Sequence, residues 1–298
     1  MNKIPVGETI SGAYSFAFTK ILSVLGVFWL PYLIAAAIIA AAVHFFAPDL
    51  PHQLVNGPWD LSLAMNFQHI SGILVLVGTI AASMVTVGLQ RKALGLHPGP
   101  VFFFFSLGAP VWLMIGAFIL AFLVILLIGG ITAGLCVAIW FAAGNIGSPA
   151  AAGGVRALAI IAAACWIIYL EVRLLFFLPA VVVAENSIGL GRSWTLGGGN
   201  FWRIIVVLIV VFLPVAIGFG MISQALVGPF LPNFEFLSHQ PQDPHMFINL
   251  LMRQFRVLGP LYLVFALVER IVFWGLGNGA IATAYRHVVP SGTAADHG

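Results

Sequence analysis

Four ionisable residues stand inside stretches that are otherwise apolar enough for lipid: Glu171 and Arg173 in "IIYLEVRLLFF", and Glu269 and Arg270 in "ALVERIVFW". Carboxylates and guanidinium groups at membrane depth can do two kinds of chemistry. They can relay a proton or ion, or they can neutralise one another across a helix interface. Each costs about 2.5–3.5 kcal/mol at the centre of an isolated inserted helix, so each needs a reason to be there. Glu171 and Arg173 are two positions apart and point about 200° apart on a helix. Glu269 and Arg270 diverge by about 100°. The spacing therefore predicts cross-pairing, Glu171 with Arg270 and Arg173 with Glu269. Tyr169, one turn before Arg173, and Trp274, one turn after Arg270, offer faces for cation–π support. Equal numbers of each sign favour a structural ion-pair lock, with a proton, ion or solute pathway as the alternative.

The elements that must carry these groups follow from composition. The chain has 298 residues, 61% hydrophobic and only 7% charged, against about 25% charged in soluble domains. This is the composition of an integral membrane protein, an all-α polytopic bundle, and residues 1–298 read as a single membrane domain. About 20 apolar residues cross the hydrocarbon core, and six segments qualify, near 21–47, 68–90, 109–143, 156–184, 201–228 and 257–285. The third is long enough to tilt or break, with Gly129-Gly130 the expected point of a break. The polar start and long first apolar run do not read as a cleavable signal. Lys3, Lys20, Arg91, Lys92, Arg192, Arg203 and Arg286 fall on one side of this layout; Arg156, Arg253 and Arg256 fall on the other. That asymmetry places both termini on the cytoplasmic side.

An internal echo, "FTKILSVLGVFWLP" (18–31) and "FWRIIVVLIVVFLP" (201–214), suggests three repeats, each an amphipathic interfacial helix followed by a transmembrane hairpin. The interfacial lead-ins would be 5–19, 97–107 and 187–199. Gly275-xxx-Gly279 has the small-residue spacing that lets helices approach closely. Cys136 and Cys165 lie in apolar runs and read as free thiols.

Residues 186–203, "NSIGLGRSWTLGGGNFWR", place Arg192 and Arg203 beside Trp194 and Trp202, and Asn200 where it can cap a helix. A cation, an aromatic ring and a helix N-terminus could seat a lipid phosphate; ordinary interfacial anchoring explains the same residues. "VRLLFFLPAVVVAE" (172–185) followed by "GRSWTLGGGNFWRI" (191–204), together with "GLQRKALGLHPG" (88–99), resembles the membrane domain of bacterial glycerophosphodiester phosphodiesterases and related six-span inner-membrane proteins. The resemblance implies a six-helix membrane domain without catalysis, because the phosphodiesterase chemistry of those enzymes belongs to an attached soluble domain.

Chemistry of other kinds finds little footing. His52, His69, His239 and His245 with Asp49, Asp60, Glu235 and Asp243 lack ligand spacing, and no G-x-S-x-G occurs. The expectation is no catalytic residues, no metal and no cofactor. With a net charge of +3 and no basic run, nucleic acid is not an expected partner. Membrane lipids are, with other membrane proteins or a second copy as alternatives. The chain thus reads first as a non-catalytic membrane protein that organises lipids or partners. The alternatives are a transporter or channel subunit and, more remotely, a lipid-modifying enzyme.

Overall fold

The computed structural model describes residues 2–46, 48, 61–97, 102–146, 148–227 and 244–289, with side chains for all of these except 61–67, 69, 227, 244–258 and 260. The described residues are mostly helical, with no strand among them. In chain order the helices are α1 (Val6–Thr19), α2 (Ile21–Phe46), α3 (Leu61–Ala93), α4 (Ala109–Ala143), α5 (Pro149–Leu175), α6 (Leu178–Glu185), α7 (Leu190–Gly198), α8 (Phe201–Val227) and α9 (Pro244–Val288). Six segments are long and apolar enough to cross a membrane. The protein is an all-α, six-span membrane bundle.

The local chemistry accounts for the breaks. Ser148 caps α5, its side chain accepting from the Ala151 amide, with Pro149 at the first helical position, where a missing N–H is harmless. α5 stops at Leu175 because Pro179 has no N–H for the carbonyl four residues earlier. The single fourth span expected at 156–184 is therefore two helices, α5 and α6, bent at Phe176–Phe177. α6 ends at Asn186 with φ 49°, and Gly189 opens α7 with φ 52°; left-handed backbone suits these two residue types. α4 runs unbroken through Gly129-Gly130, contrary to the expected break, and a Cβ there would meet nothing within 4 Å.

α6 is apolar on every face, and residues Leu178 to Val183 are all buried, as expected of a helix enclosed by others. One side packs with Ile4, Ile204, Ala284, Tyr285 and Val288 through Phe177, Ala180 and Val181. The other meets Met84 and Val87 of α3 and Val111 and Met114 of α4 through Leu178 and Val182. It is the peg around which one end of the bundle closes. The hairpins α2–α3 and α4–α5 pack along their lengths.

The three expected lead-ins differ. α1 does not lie flat beneath the bundle. It runs antiparallel along the last part of α9: a Cβ on Gly279 would meet Ala13 backbone at 3.1 Å, and one on Gly275 would meet Ala17 at 3.2 Å. The Gly275-xxx-Gly279 spacing thus receives α1, and the Tyr14 hydroxyl donates to the Val211 carbonyl of α8 at 3.1 Å. Residues 102–107 are not helical. They form a strap across the first hairpin, with the Trp29 indole N–H donating to the Phe102 carbonyl at 2.8 Å. Only α7 is a short amphipathic lead-in of the expected kind.

Candidate functional site

Arg173 sits two residues before the end of α5 and is half-buried. Its guanidinium lies 3.8 Å from the Trp194 ring centroid and 5.3 Å from that of Tyr169. It donates to the Tyr169 hydroxyl and, at 3.1 Å, to the Trp194 carbonyl. Only Nε lacks a partner. Two glycines make this contact possible. A Cβ on Gly197 would meet the Arg173 backbone at 3.2 Å, and one on Gly198 would strike the guanidinium itself. Ser193 fastens the same joint by donating to the Leu174 carbonyl at 2.8 Å. Tyr169 packs on Phe201 with ring centroids 5.0 Å apart, so Arg173 lies level with the start of α8. Of the expected aromatic supports, Tyr169 serves Arg173 directly.

The expected cross-pairs do not form. Among the described residues, no ion pair or hydrogen bond joins Glu171, Arg173, Glu269 or Arg270 to one another. The reason is register. The end of α5 packs with Tyr285 and Val288 through Val172 and Phe176, whereas Arg270 stands 18 residues before Val288, about 27 Å along the axis. The packed neighbours also differ: α4, α6, α7 and α8 for α5, and α1, α2, α3, α6 and α8 for α9. Glu171 and Arg270 are exposed, and Glu269 is half-buried. Trp274 does not stack on Arg270; it meets Phe28 edge-on at 6.4 Å. The charge of Arg270 reaches Tyr32 of α2, whose ring stacks on Phe28 at 4.3 Å.

The residues considered for a lipid phosphate are largely engaged within the chain. Asn200 is buried. Its Oδ1 accepts the Ile4 amide at 2.9 Å rather than an amide of α8, and its Nδ2 donates to the Leu196 carbonyl at 3.3 Å. It holds the N-terminal segment and closes α7; the expected cap on the following helix is not made. Arg203 donates to the Ile4 carbonyl at 2.7 Å. Arg192 pairs with Glu185 at 3.2 Å, and that carboxylate also accepts from the Tyr285 hydroxyl at 2.9 Å. Trp194 is committed to Arg173. Trp202 is well exposed, at 75%, as an interfacial anchor would be.

A buried polar contact was not anticipated from the sequence. Gln90 of α3 donates to Asn278 Oδ1 at 3.0 Å, both residues being buried, and Asn278 Nδ2 donates to the Trp274 carbonyl at 2.9 Å. An amide in each of two apolar spans was the available signal. In the sequence Asn278 is masked by the packing glycines around it, Gly275, Gly277 and Gly279.

Both cysteines are free, and Cys136 Sγ faces the Ala159 carbonyl at 3.8 Å. Arg156 covers the Trp140 ring at 4.5 Å. Among the described residues no three His, Cys, Asp or Glu side chains gather as metal ligands; the side chains of Asp49, His52, Asp60, His69, Glu235, His239, Asp243 and His245 lie outside them. No family model, curated protein or solved structure matches this chain.

Proposed function

We propose that this chain is a non-catalytic protein of a bacterial inner membrane, its Lys/Arg-rich end cytoplasmic, that assembles through α9 with a second copy of itself. The observation that carries this reading is Arg270, exposed and without a hydrogen bond or ion pair among the described residues. Leu263, Leu267 and Arg270 stand at i, i+4 and i+7, one stripe of α9, and both leucines are exposed. A charge on such a face needs a counter-charge from outside the chain. Two copies related by a two-fold axis along the membrane normal bring Glu269 of each level with Arg270 of the other, because an isologous contact matches a patch with itself. The resemblance of residues 172–204 to a non-catalytic membrane domain points the same way.

The test is the oligomeric state of labelled protein in lipid bilayers, read by single-molecule photobleaching. Wild type is expected to be mainly two-step and Arg270→Glu mainly one-step. The double exchange Glu269→Arg with Arg270→Glu is expected to restore two steps. Equal step counts for all three would refute the assembly.

A transport reading has one specific observation in its favour. Asn278 lines a cavity of about 280 Å³ together with Thr86, Pro179 and Trp274, and Ser83 Oγ and Gln90 Oε1 nearby in α3 are buried without a partner. Solute flux into proteoliposomes that Gln90→Leu abolishes while dimerisation persists would favour that reading.

A further inference from the structure

At the end of the bundle where α1, α3 and α9 meet, a cleft of about 330 Å³ is lined by Lys20, Lys92 and Arg286 together with Ser15, Thr19 and Thr283. The three cations come from three different places: the α1–α2 junction, the last turn of α3 and the last turn of α9. Among the described residues no acidic side chain lines the cleft. The nearest described ion pair at this end joins Glu8 to His287 at 3.2 Å and contributes neither residue to the lining. The side chains of Lys20 and Arg286 are exposed and make no hydrogen bond or ion pair with described residues. Lys20 and Arg286, two like charges brought to one cleft, repel one another unless an anion joins them. The cleft is also fixed in shape. Gly12 approaches Thr283 so closely that a Cβ would lie 2.5 Å from its Oγ1, which holds one hydroxyl in place at the α1–α9 seam.

We propose that this cleft binds a phosphate group, with Lys20 and Arg286 supplying charge and Ser15 and Thr283 supplying hydroxyl donors. Lysine acts as a point charge towards phosphate, whereas arginine can present two parallel N–H donors. The cleft opens where three transmembrane helices begin or end, within reach of a phospholipid headgroup; a soluble phosphate carries the same chemistry. The inference is independent of assembly through Arg270, which lies elsewhere on α9.

The experiment measures thermal stabilisation of the full chain in neutral detergent on titration with short-chain phosphatidylglycerol, short-chain phosphatidylcholine or inorganic phosphate. The wild type is expected to saturate with phosphatidylglycerol. The Lys20→Ala/Arg286→Ala variant, with an unchanged melting temperature before addition, should bind about thirtyfold more weakly. Saturation by inorganic phosphate at comparable concentration assigns the site to a soluble anion, and saturation by phosphatidylglycerol alone assigns it to a lipid. Should the variant fail to fold, Thr283→Val, which keeps the shape, is read instead and should weaken binding severalfold. Stabilisation that is equal in wild type and variant, or absent with all three additives, overturns the proposal.

Discussion

Arg173 and Arg270 are the same residue type, each in an apolar helix with a glutamate one or two positions away, yet they have opposite surroundings. Arg173 is enclosed by a ring on each side, a hydroxyl and a carbonyl, all from its own chain. Arg270 is exposed on α9, with only an aromatic cluster on α2 nearby. The difference lies in what the chain folds against each one. α7, shaped by Gly197 and Gly198, is laid directly over Arg173, whereas no described element covers Arg270. A guanidinium near a helix end is stabilised by aromatic faces and orphan carbonyls without any counter-charge. One far from the helix end lacks such partners and depends on whatever packs outside.

The comparison can be broken in several ways, the strongest first. Gly197→Leu forces a side chain into the Arg173 backbone and should cost about 2–3 kcal/mol or more. It is read as loss of folded protein, or a large fall in melting temperature, in detergent. Arg173→Leu leaves the Tyr169 hydroxyl and Trp194 carbonyl without their donor and should cost about 1–3 kcal/mol. Arg173→Lys should recover only part of this, because an ammonium group cannot stack and fork as a guanidinium does. Asn200→Ala strands the Ile4 amide and Leu196 carbonyl and should cost about 1–2 kcal/mol; hydrogen exchange should rise first in residues 2–6. Glu171→Gln, on an exposed side chain, should change stability by less than about 0.5 kcal/mol.

How much of this was legible beforehand differs between spans and site. The six spans follow from apolar run lengths, and their ends fall near Pro, Gly, Lys and Arg. The stacking of Tyr169 on Arg173 could be read from one-turn spacing, because it is local to one helix. The failed cross-pairs show the limit. Arg156 and Arg256 fall at the same side of the layout, but α9 extends twelve residues before Arg256, and Arg156 is turned onto Trp140. Neither marks a common plane. Vertical register between helices distant in sequence depends on packing that periodicity does not encode. The same holds for α1. Its Ala13 and Ala17 and the Gly275-xxx-Gly279 stripe were each visible, but nothing in either sequence says that they face one another. The basic cleft is illegible for a similar reason: the layout puts Lys20, Lys92 and Arg286 on one side of the membrane, and only the folded chain brings the three into one cleft.

The account is tested most directly by thermal unfolding of the isolated monomer in detergent, with Arg173→Leu and Arg270→Leu scanned beside the wild type. An arginine satisfied inside the chain should be missed when removed, and one answered from outside should not. Arg173→Leu is therefore expected to melt well below the wild type, and Arg270→Leu within about 0.5 kcal/mol of it. A monomer destabilised as much by Arg270→Leu as by Arg173→Leu would contradict the account and return Arg270 to an internal lock.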